Sequence, residues 1–168
     1  GDIRYADLTG PDGKPDGVIN ALDRTIIGNP YPSMIYNFNT SLSYKGFDFN
    51  VVFEGLNGLD RILNDNGQQP MEGDRNNALA YWAGRWTPQN PSTKLPRLGG
   101  VNNQVISDFY IQDVSYLRMR NLEIGYTLPL RLTEKAGMSK LRIYVGGQNL
   151  LTFTKLENFD PERARGGN

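Results

Sequence analysis

Hydrophobic and polar residues alternate with a period of two in two separate parts of the chain. From residue 33 to residue 44 the even positions are apolar or aromatic apart from Thr40, and the odd positions are mostly small or polar. Lys45 and Gly46 interrupt this pattern, and aromatic and aliphatic residues then fill the odd positions from 47 to 53. Alternation of this kind predicts strands, and the short connection between them predicts a hairpin.

The second alternating part lies near the other end of the chain. Even positions from 122 to 128 are apolar or aromatic, and most odd positions from 141 to 153 are apolar. Residues 130–137 between them predict one or two helical turns that end at Gly137. We therefore predict an antiparallel meander of four strands near residues 33–44, 47–57, 116–128 and 140–153. One face of this sheet is predicted to carry Phe38, Leu42, Phe49, Val51, Ile124, Tyr126, Ile143 and Val145.

Two all-β architectures fit this pattern. The predicted strands, of about 11 to 16 residues, exceed the usual length of about 5 to 6. Tyrosines near both ends of the first strand are typical of the aromatic girdles of transmembrane barrels. The connections at 45–46 and 130–137 are short, whereas 59–115 is long and polar, like an extracellular barrel loop. We favour part of a large transmembrane β-barrel with long extracellular loops, and a soluble sandwich or jelly roll is the alternative.

Composition narrows the possible chemistry. The chain has no cysteine for disulfides or thiolate metal sites, and no histidine, the commonest general base and zinc ligand. Its 18 basic residues balance 18 acidic ones, so binding to nucleic acid is not expected. No run reaches the ~20 apolar residues of a membrane-spanning helix, but barrel strands give a much weaker hydropathy signal. The missing histidine disfavours most hydrolase chemistry.

An Asp-rich stretch near the start resembles an EF-hand-like or dockerin-like calcium loop interrupted by residues 11–15. Without the interruption, Asp7, Thr9 and Asp16 fall at ligand positions one, three and five, and Gly17 falls at the sharp turn. The other predicted ligands are the Val18 carbonyl, Asn20 and Asp23. Calcium is the one cofactor that the sequence suggests. The alternative is an ordinary turn in which Asp23 caps backbone amides and Ile19 packs inward.

Trp82 and Trp86 are candidate contacts in the 59–115 connection. Flat aromatic rings stack on sugars or press against partner proteins, so either tryptophan suits a ligand or a partner. The alternative, which we favour, is that they pack the loop onto itself.

Charged and polar strand residues have a structural and a catalytic interpretation. If the opposite face meets lipid, the interior face carries Asp48, Asn50, Glu54, Asn121, Glu123, Arg142, Tyr144 and Gln148. Arg118 and Arg120 are expected to be rim charges. A carboxylate pair for glycoside cleavage is the weakest hypothesis, because Asp48 and Glu54 lie on one strand.

Several ordered segments resemble the C-terminal part of SusC/RagA-type TonB-linked outer-membrane receptors. They are GDIRY at 1–5, DRTIIGNP at 23–30, YKGFD at 44–48, RWTPQNP at 85–91, YLR at 116–118 with NL at 121–122, GYTLP at 125–129 and GQNLLTFT at 147–154. Together they span nearly the whole chain. The family's signal peptide, plug and most of its barrel have no counterpart here, and four strands cannot close a barrel of at least ~8. We therefore expect a fragment of a larger receptor.

The resemblance implies a structural segment of a glycan or peptide importer in the bacterial outer membrane, which is expected to catalyse no reaction and not to be an enzyme. The implied partners are the remaining barrel and plug, a SusD-like lipoprotein lid, outer-membrane lipid, and TonB through the N-terminal part of the receptor. The expected division is an extracellular loop at 1–32, a hairpin at 33–58, a long extracellular loop at 59–115, a second strand pair at 116–154 and the start of the last extracellular loop at 155–168. The alternative function is a secreted, calcium-stabilised β-sandwich that binds carbohydrate through Trp82 and Trp86.

Overall fold

Four long antiparallel strands dominate the structure, a computed structural model that describes residues 1–62, 70 and 77–162. They are β1 (Met34–Tyr44), β2 (Phe47–Asn57), β5 (Tyr116–Thr127) and β6 (Arg142–Thr154). Their order in the sheet is β1-β2-β5-β6. Each long strand therefore pairs with the long strand that comes next in the sequence. The predicted four-stranded meander is confirmed, with strand ends within two residues of those expected.

Short elements occupy the connections. Strands β3 (Asp60–Ile62) and β4 (Ile111–Asp113) form a separate two-stranded sheet. The helix α1 covers Leu130–Thr133, and single 3-10 turns cover Ala21–Asp23, Ala80–Gly84, Val101–Gln104, Asp108–Tyr110 and Glu134–Ala136. Among the described residues, no helix has the length and apolar character needed to cross a membrane.

Two turns have the backbone geometry that their residues predict. Lys45 and Gly46 both have positive φ angles, 46° and 87°, which a tight hairpin turn of the primed type requires. The helical segment after β5 ends at Gly137, whose φ of 71° is left-handed. A Cβ at Gly46 would also lie within 3 Å of the Thr127 carbonyl on β5. This turn therefore fixes the β1–β2 register and fits closely against the end of β5.

The strand register places the eight predicted residues on one face. Leu42 pairs with Phe49, Phe49 with Ile124, and Ile124 with Val145, which gives one row across all four strands. Phe38, Val51, Tyr126 and Ile143 lie an even number of residues from members of this row on their own strands. We call this surface the apolar face and the opposite one the polar face.

A β-bulge in β5 was not predicted from the sequence. Val52 pairs with Asn121 but Phe53 pairs with Met119, so Arg120 is an extra residue relative to β2. The bulge changes the parity of β5, because apolar-face residues are odd-numbered up to Met119 and even-numbered from Leu122 onward. The β5–β6 register shifts at the same point. As a result the polar residues on both sides of the bulge share the polar face.

A small core lies at the end of the sheet away from the Lys45-Gly46 turn. Leu56 pairs with Tyr116, and both are almost fully buried on the side of the polar face. They pack with Leu59, Val114 and Leu156, and Phe159 packs against this cluster. The described chain divides into two compact units, of which this core and the long sheet belong to the one formed by Asn29–Arg61 and Asp113–Asn168. In the other unit, Gly1–Gly28 and Ile62–Gln112, the described residues are mainly irregular backbone, and we call it the irregular unit.

Gly55 makes room for an aromatic side chain that crosses a strand. Tyr36 on β1 lies opposite Gly55, and its hydroxyl donates to the Tyr116 carbonyl on β5 over 3.1 Å. A Cβ at Gly55 would lie within 3 Å of both the Tyr36 ring and that carbonyl. The missing side chain thus lets Tyr36 connect three strands.

We expect Gly55→Ala to destabilise the sheet by about 1–3 kcal/mol, because the added methyl overpacks this site. The measurement is the urea midpoint of the complete receptor refolded into detergent. Gly84→Ala is the matched control, since a Cβ there meets no atom within 4 Å. An unchanged midpoint for Gly55→Ala would show that Tyr36 does not depend on the glycine.

Candidate functional site

The apolar face is exposed over all four strands. The exposed fractions are 59% for Phe38, 61% for Leu42, 62% for Ile143 and 70% for Val145, whereas Val51 is covered by its neighbours at 6%. Tyr44 and Phe47, at the turn end, are also exposed. Contiguous apolar surface of this kind marks contact with a membrane or with another protein.

Ion pairs between strands line the polar face. Arg142 on β6 donates through Nε to Asp48 Oδ1 on β2 over 3.0 Å and through Nη2 to Glu123 Oε1 on β5 over 2.6 Å. Its side chain passes over Gly125, where a Cβ would collide with the guanidinium and with the Asp48 carboxylate. Gly125 therefore allows one arginine to join three strands.

A second group of ion pairs, formed by Arg118 and Arg120, lies beside the bulge. Only 7% of the Arg118 side chain is exposed, so Arg118 is a buried ion-pair residue and not the expected rim charge. Arg120 pairs with Glu54 on β2 over 3.0 Å and with Glu162 beyond β6. Asp48 and Glu54, the carboxylates considered for glycoside cleavage, are each held by a different arginine. Both carboxylates are therefore engaged in ion pairs between strands.

The Asp-rich first loop is closed by hydrogen bonds to backbone amides. Asp23 Oδ1 accepts from the amides of Leu8 at 2.7 Å and Thr9 at 3.0 Å, and Asp23 Oδ2 accepts from Asn20 N at 2.8 Å. These three hydrogen bonds lower the pKa of Asp23, and the bond from the Asn20 amide has the largest effect. Asp7 accepts from the amides of residues 16 and 17. Two of the predicted calcium ligands, Asp7 and Asp23, therefore already accept hydrogen bonds from backbone amides.

The capping alternative for this loop fits the geometry better than the calcium site. Asp16 Oδ1 accepts from Val18 N over 2.9 Å, and the Asn20 side chain binds Leu22 N and the Val18 carbonyl. Among the described residues, no three acidic side chains converge as a metal site requires. Ile19 is 52% exposed, so its expected inward packing is wrong. Calcium binding stays a prediction that needs a direct test.

The two tryptophans of the long connection have different environments. Trp82 is only 2% exposed, which does not fit a direct ligand contact and favours packing within the loop. Trp86 is half-buried, with its ring against Gly1 and its amide bonded to the Leu95 carbonyl over 3.1 Å. A partner or ligand contact through the remaining surface of Trp86 stays a prediction.

Asn103 organises the irregular unit and was not recognised in the sequence. It is 6% exposed; its Oδ1 accepts from Ile3 N over 2.7 Å and its Nδ2 donates to the Arg97 carbonyl and to Asp2. Arg97 also pairs with Asp2, and this hydrogen bond lowers the pKa of the Asp2 carboxyl. The Tyr110 hydroxyl donates to the Asn103 carbonyl, and burial raises the pKa of Tyr110 to about 12. A lone asparagine among many carries no sequence signal of such a role.

Known proteins resemble this chain over nearly its whole length. TonB-dependent receptor P3 of Formosa agariphila is 40% identical over 158 residues, which are 94% of this chain and 15% of the relative. TonB-dependent receptor SusC of Bacteroides thetaiotaomicron is 26% identical over 88% of this chain and 14% of its own length. A solved structure of the RagAB peptide transporter superposes with a TM-score of 0.72 at 28% identity, covering 96% of this chain and 18% of that one. No protein-family model matches.

A sheet with one exposed apolar face and one charged face, superposable on a solved transporter, is part of the wall of a large transmembrane β-barrel. The sandwich alternative is therefore wrong. The chain belongs to the SusC/RagA-type TonB-dependent receptors and corresponds to a fragment of their barrel. It spans about a sixth of the length of these relatives, between 14% and 18%. The relatives are named as receptors and transporters, and none of these names denotes an enzyme.

We expect Asp23→Ala to speed amide exchange severalfold at Leu8, Thr9 and Asn20 in the complete receptor, because their acceptor is removed. Since the pKa of Asp23 lies below its ordinary 3.8, the carboxylate keeps these bonds at neutral pH and loses them only in stronger acid. Asp12→Ala, in the same loop, is the control. Slower exchange of these amides on adding calcium to wild type would instead support a metal site.

We expect Trp86→Ala to loosen the segment that starts at Gly1. Arg97 N donates to the Gly1 carbonyl over 2.7 Å, so its amide should exchange faster once the ring no longer supports Gly1. Trp86→Phe should retain most of the protection, because a smaller ring still covers the glycine. Normal exchange at Arg97 in Trp86→Ala, combined with loss of cargo binding, would show that Trp86 contacts cargo instead.

Proposed function

We propose that this chain is a non-catalytic part of the wall of an importer that carries nutrients across the bacterial outer membrane. The observation that supports this best is the division of one sheet into an exposed apolar face and a face of bound charges. Lipid solvates the first, and a polar lumen suits the second. The similarity to TonB-dependent receptors and to a peptide transporter points the same way.

The arrangement of the connections suggests how the strands are oriented. The short connections, 45–46 and 130–137, lie at one end of the sheet, as periplasmic turns do in such barrels. We assign residues 1–32, 59–115 and 155–168 to extracellular loops, which would help to form the entrance for cargo. The hairpin at 33–58 and the strand pair at 116–154 would cross the membrane.

The edges of the sheet indicate its immediate partners. β1 pairs only with β2 and β6 only with β5 among the described strands, so each leaves a row of backbone groups at an edge. Such an edge is not stable in a membrane, because lipid offers no hydrogen bonds. We infer that neighbouring barrel strands of the receptor cover both edges and that the polar face looks toward its plug.

The relatives suggest further partners and a class of cargo. The matches to SusC and to a RagAB peptide transporter support a SusD-like lipoprotein lid, energy input through TonB, and a glycan or peptide as cargo. Co-purification of the complete receptor with a surface lipoprotein tests the lid. Calcium, if it binds the first loop, would have a structural role there.

We expect Phe38→Arg to cost about 2–4 kcal/mol of folding free energy in a bilayer, because the site is mid-strand on the lipid side. Asn39→Arg, one residue away on the polar face, should change little. The measurement is urea-dependent folding of the complete receptor into phospholipid vesicles. Equal effects of both substitutions, or a larger effect of Asn39→Arg, would contradict the proposed orientation.

A further inference from the structure

Residues 155–162, which follow β6, turn back over the polar face of the sheet. Leu156 is buried in the small core, Phe159 packs against it, and Pro161 is also buried. Glu162 N donates to Asp160 Oδ1 over 2.8 Å, which forms a tight turn around the proline. Two apolar anchors and a short turn thus bring two carboxylates to β5.

Arg118 depends on these carboxylates for its charge partners. Its Nη1 donates to Glu162 Oε2 and its Nη2 to Asp160 Oδ2, each over 2.8 Å, while Nε donates to Thr152 Oγ1 over 2.9 Å. Both of these acidic partners of the buried side chain lie in the segment after β6. A buried guanidinium that loses its carboxylates is strongly unfavourable.

Arg120 binds the same glutamate from the other side. Its Nη1 donates to Glu162 Oε2 over 3.0 Å, its Nη2 donates to Glu162 Oε1, and its Nε binds Glu54 on β2. Both oxygens of Glu162 are therefore held by arginines. The hydrogen bond from Arg120, together with the positive charges of both arginines, lowers the pKa of Glu162. The bulge at Arg120 is what places the two arginines side by side on this face.

We propose that Arg118 and Arg120 form a carboxylate-binding site, that residues 156–162 are its built-in occupant, and that this segment is a latch which opens when Glu162 is lost. Forked guanidinium groups on one carboxylate are the geometry by which proteins recognise free carboxylates. An emptied site would therefore take a small external carboxylate in place of Glu162. This proposal does not depend on the proposed import function, because its evidence lies within one unit of the fold.

The first test measures opening of the latch in the complete receptor. Trypsin cleavage after the exposed Lys155, followed by mass spectrometry, reports on residues 156–162. We expect Glu162→Gln to raise the cleavage rate by about tenfold or more, since losing one charge-assisted hydrogen bond is enough for that shift. Glu157→Gln, at an exposed position in the same segment, is the matched control and should leave the rate unchanged. Equal rates in wild type and Glu162→Gln would overturn the latch.

The second test asks whether the emptied site binds a carboxylate. Glu162→Ala removes the carboxylate that both arginines bind, and sodium acetate should then raise the unfolding temperature above the value in sodium chloride of equal ionic strength. Wild type and Glu157→Gln should show no such difference, because Glu162 fills their site. No acetate-specific shift, or the same shift in all three proteins, would overturn the carboxylate site. If Glu162→Ala does not fold, the cleavage test with Glu162→Gln still decides on the latch.

Discussion

The two-residue repeat of side chains along a strand is the constraint on which this structure depends. Each long strand places its apolar residues on one face and its charges on the other, and an uncorrected slip of one residue would reverse both sets. In β5 the repeat is broken between Met119 and Leu122, and the bulge at Arg120 absorbs the break. The bulge keeps Leu122 and Ile124 on the apolar face, and it also creates the arginine pair. One local irregularity therefore preserves the membrane-facing surface and supplies the charge network.

Glycines in the sheet allow long side chains to connect strands that are not neighbours, with Gly55 on the apolar face and Gly125 on the polar face. Tyr36 reaches β5 across Gly55, and Arg142 reaches Asp48 across Gly125. A barrel wall is one layer thick and has no second sheet to pack against. Contacts of this kind give it side-chain links in addition to backbone hydrogen bonds.

In the irregular unit, most described residues lie outside helices and strands. Their backbone amides therefore need partners other than the hydrogen bonds of regular secondary structure. Buried or half-buried polar groups satisfy the amides instead, as Asn103 does for Ile3 and Asp23 for Leu8 and Thr9. Amide capping accounts for the positions of Asp7 and Asp23 in the acidic first loop. Carboxylates that cap amides and carboxylates that bind calcium use similar residue patterns, so spacing alone does not distinguish the two interpretations.

The sequence by itself determined the four strands, their order, the two short turns and the apolar face, because all of these follow from local alternation and turn chemistry. The resemblance of several segments to SusC/RagA-type receptors indicated the family as well. Only the tertiary structure decided the bulge at Arg120, the burial of Arg118 and the pairing of both arginines with Glu162. The partners in that cluster lie more than 40 residues apart, and their charges look like ordinary surface charges until the fold brings them together. Trp82 and Trp86 lie four residues apart in the same polar connection, yet Trp82 is buried and Trp86 is half-buried. Their burial depends on packing against distant residues, which no local sequence pattern records.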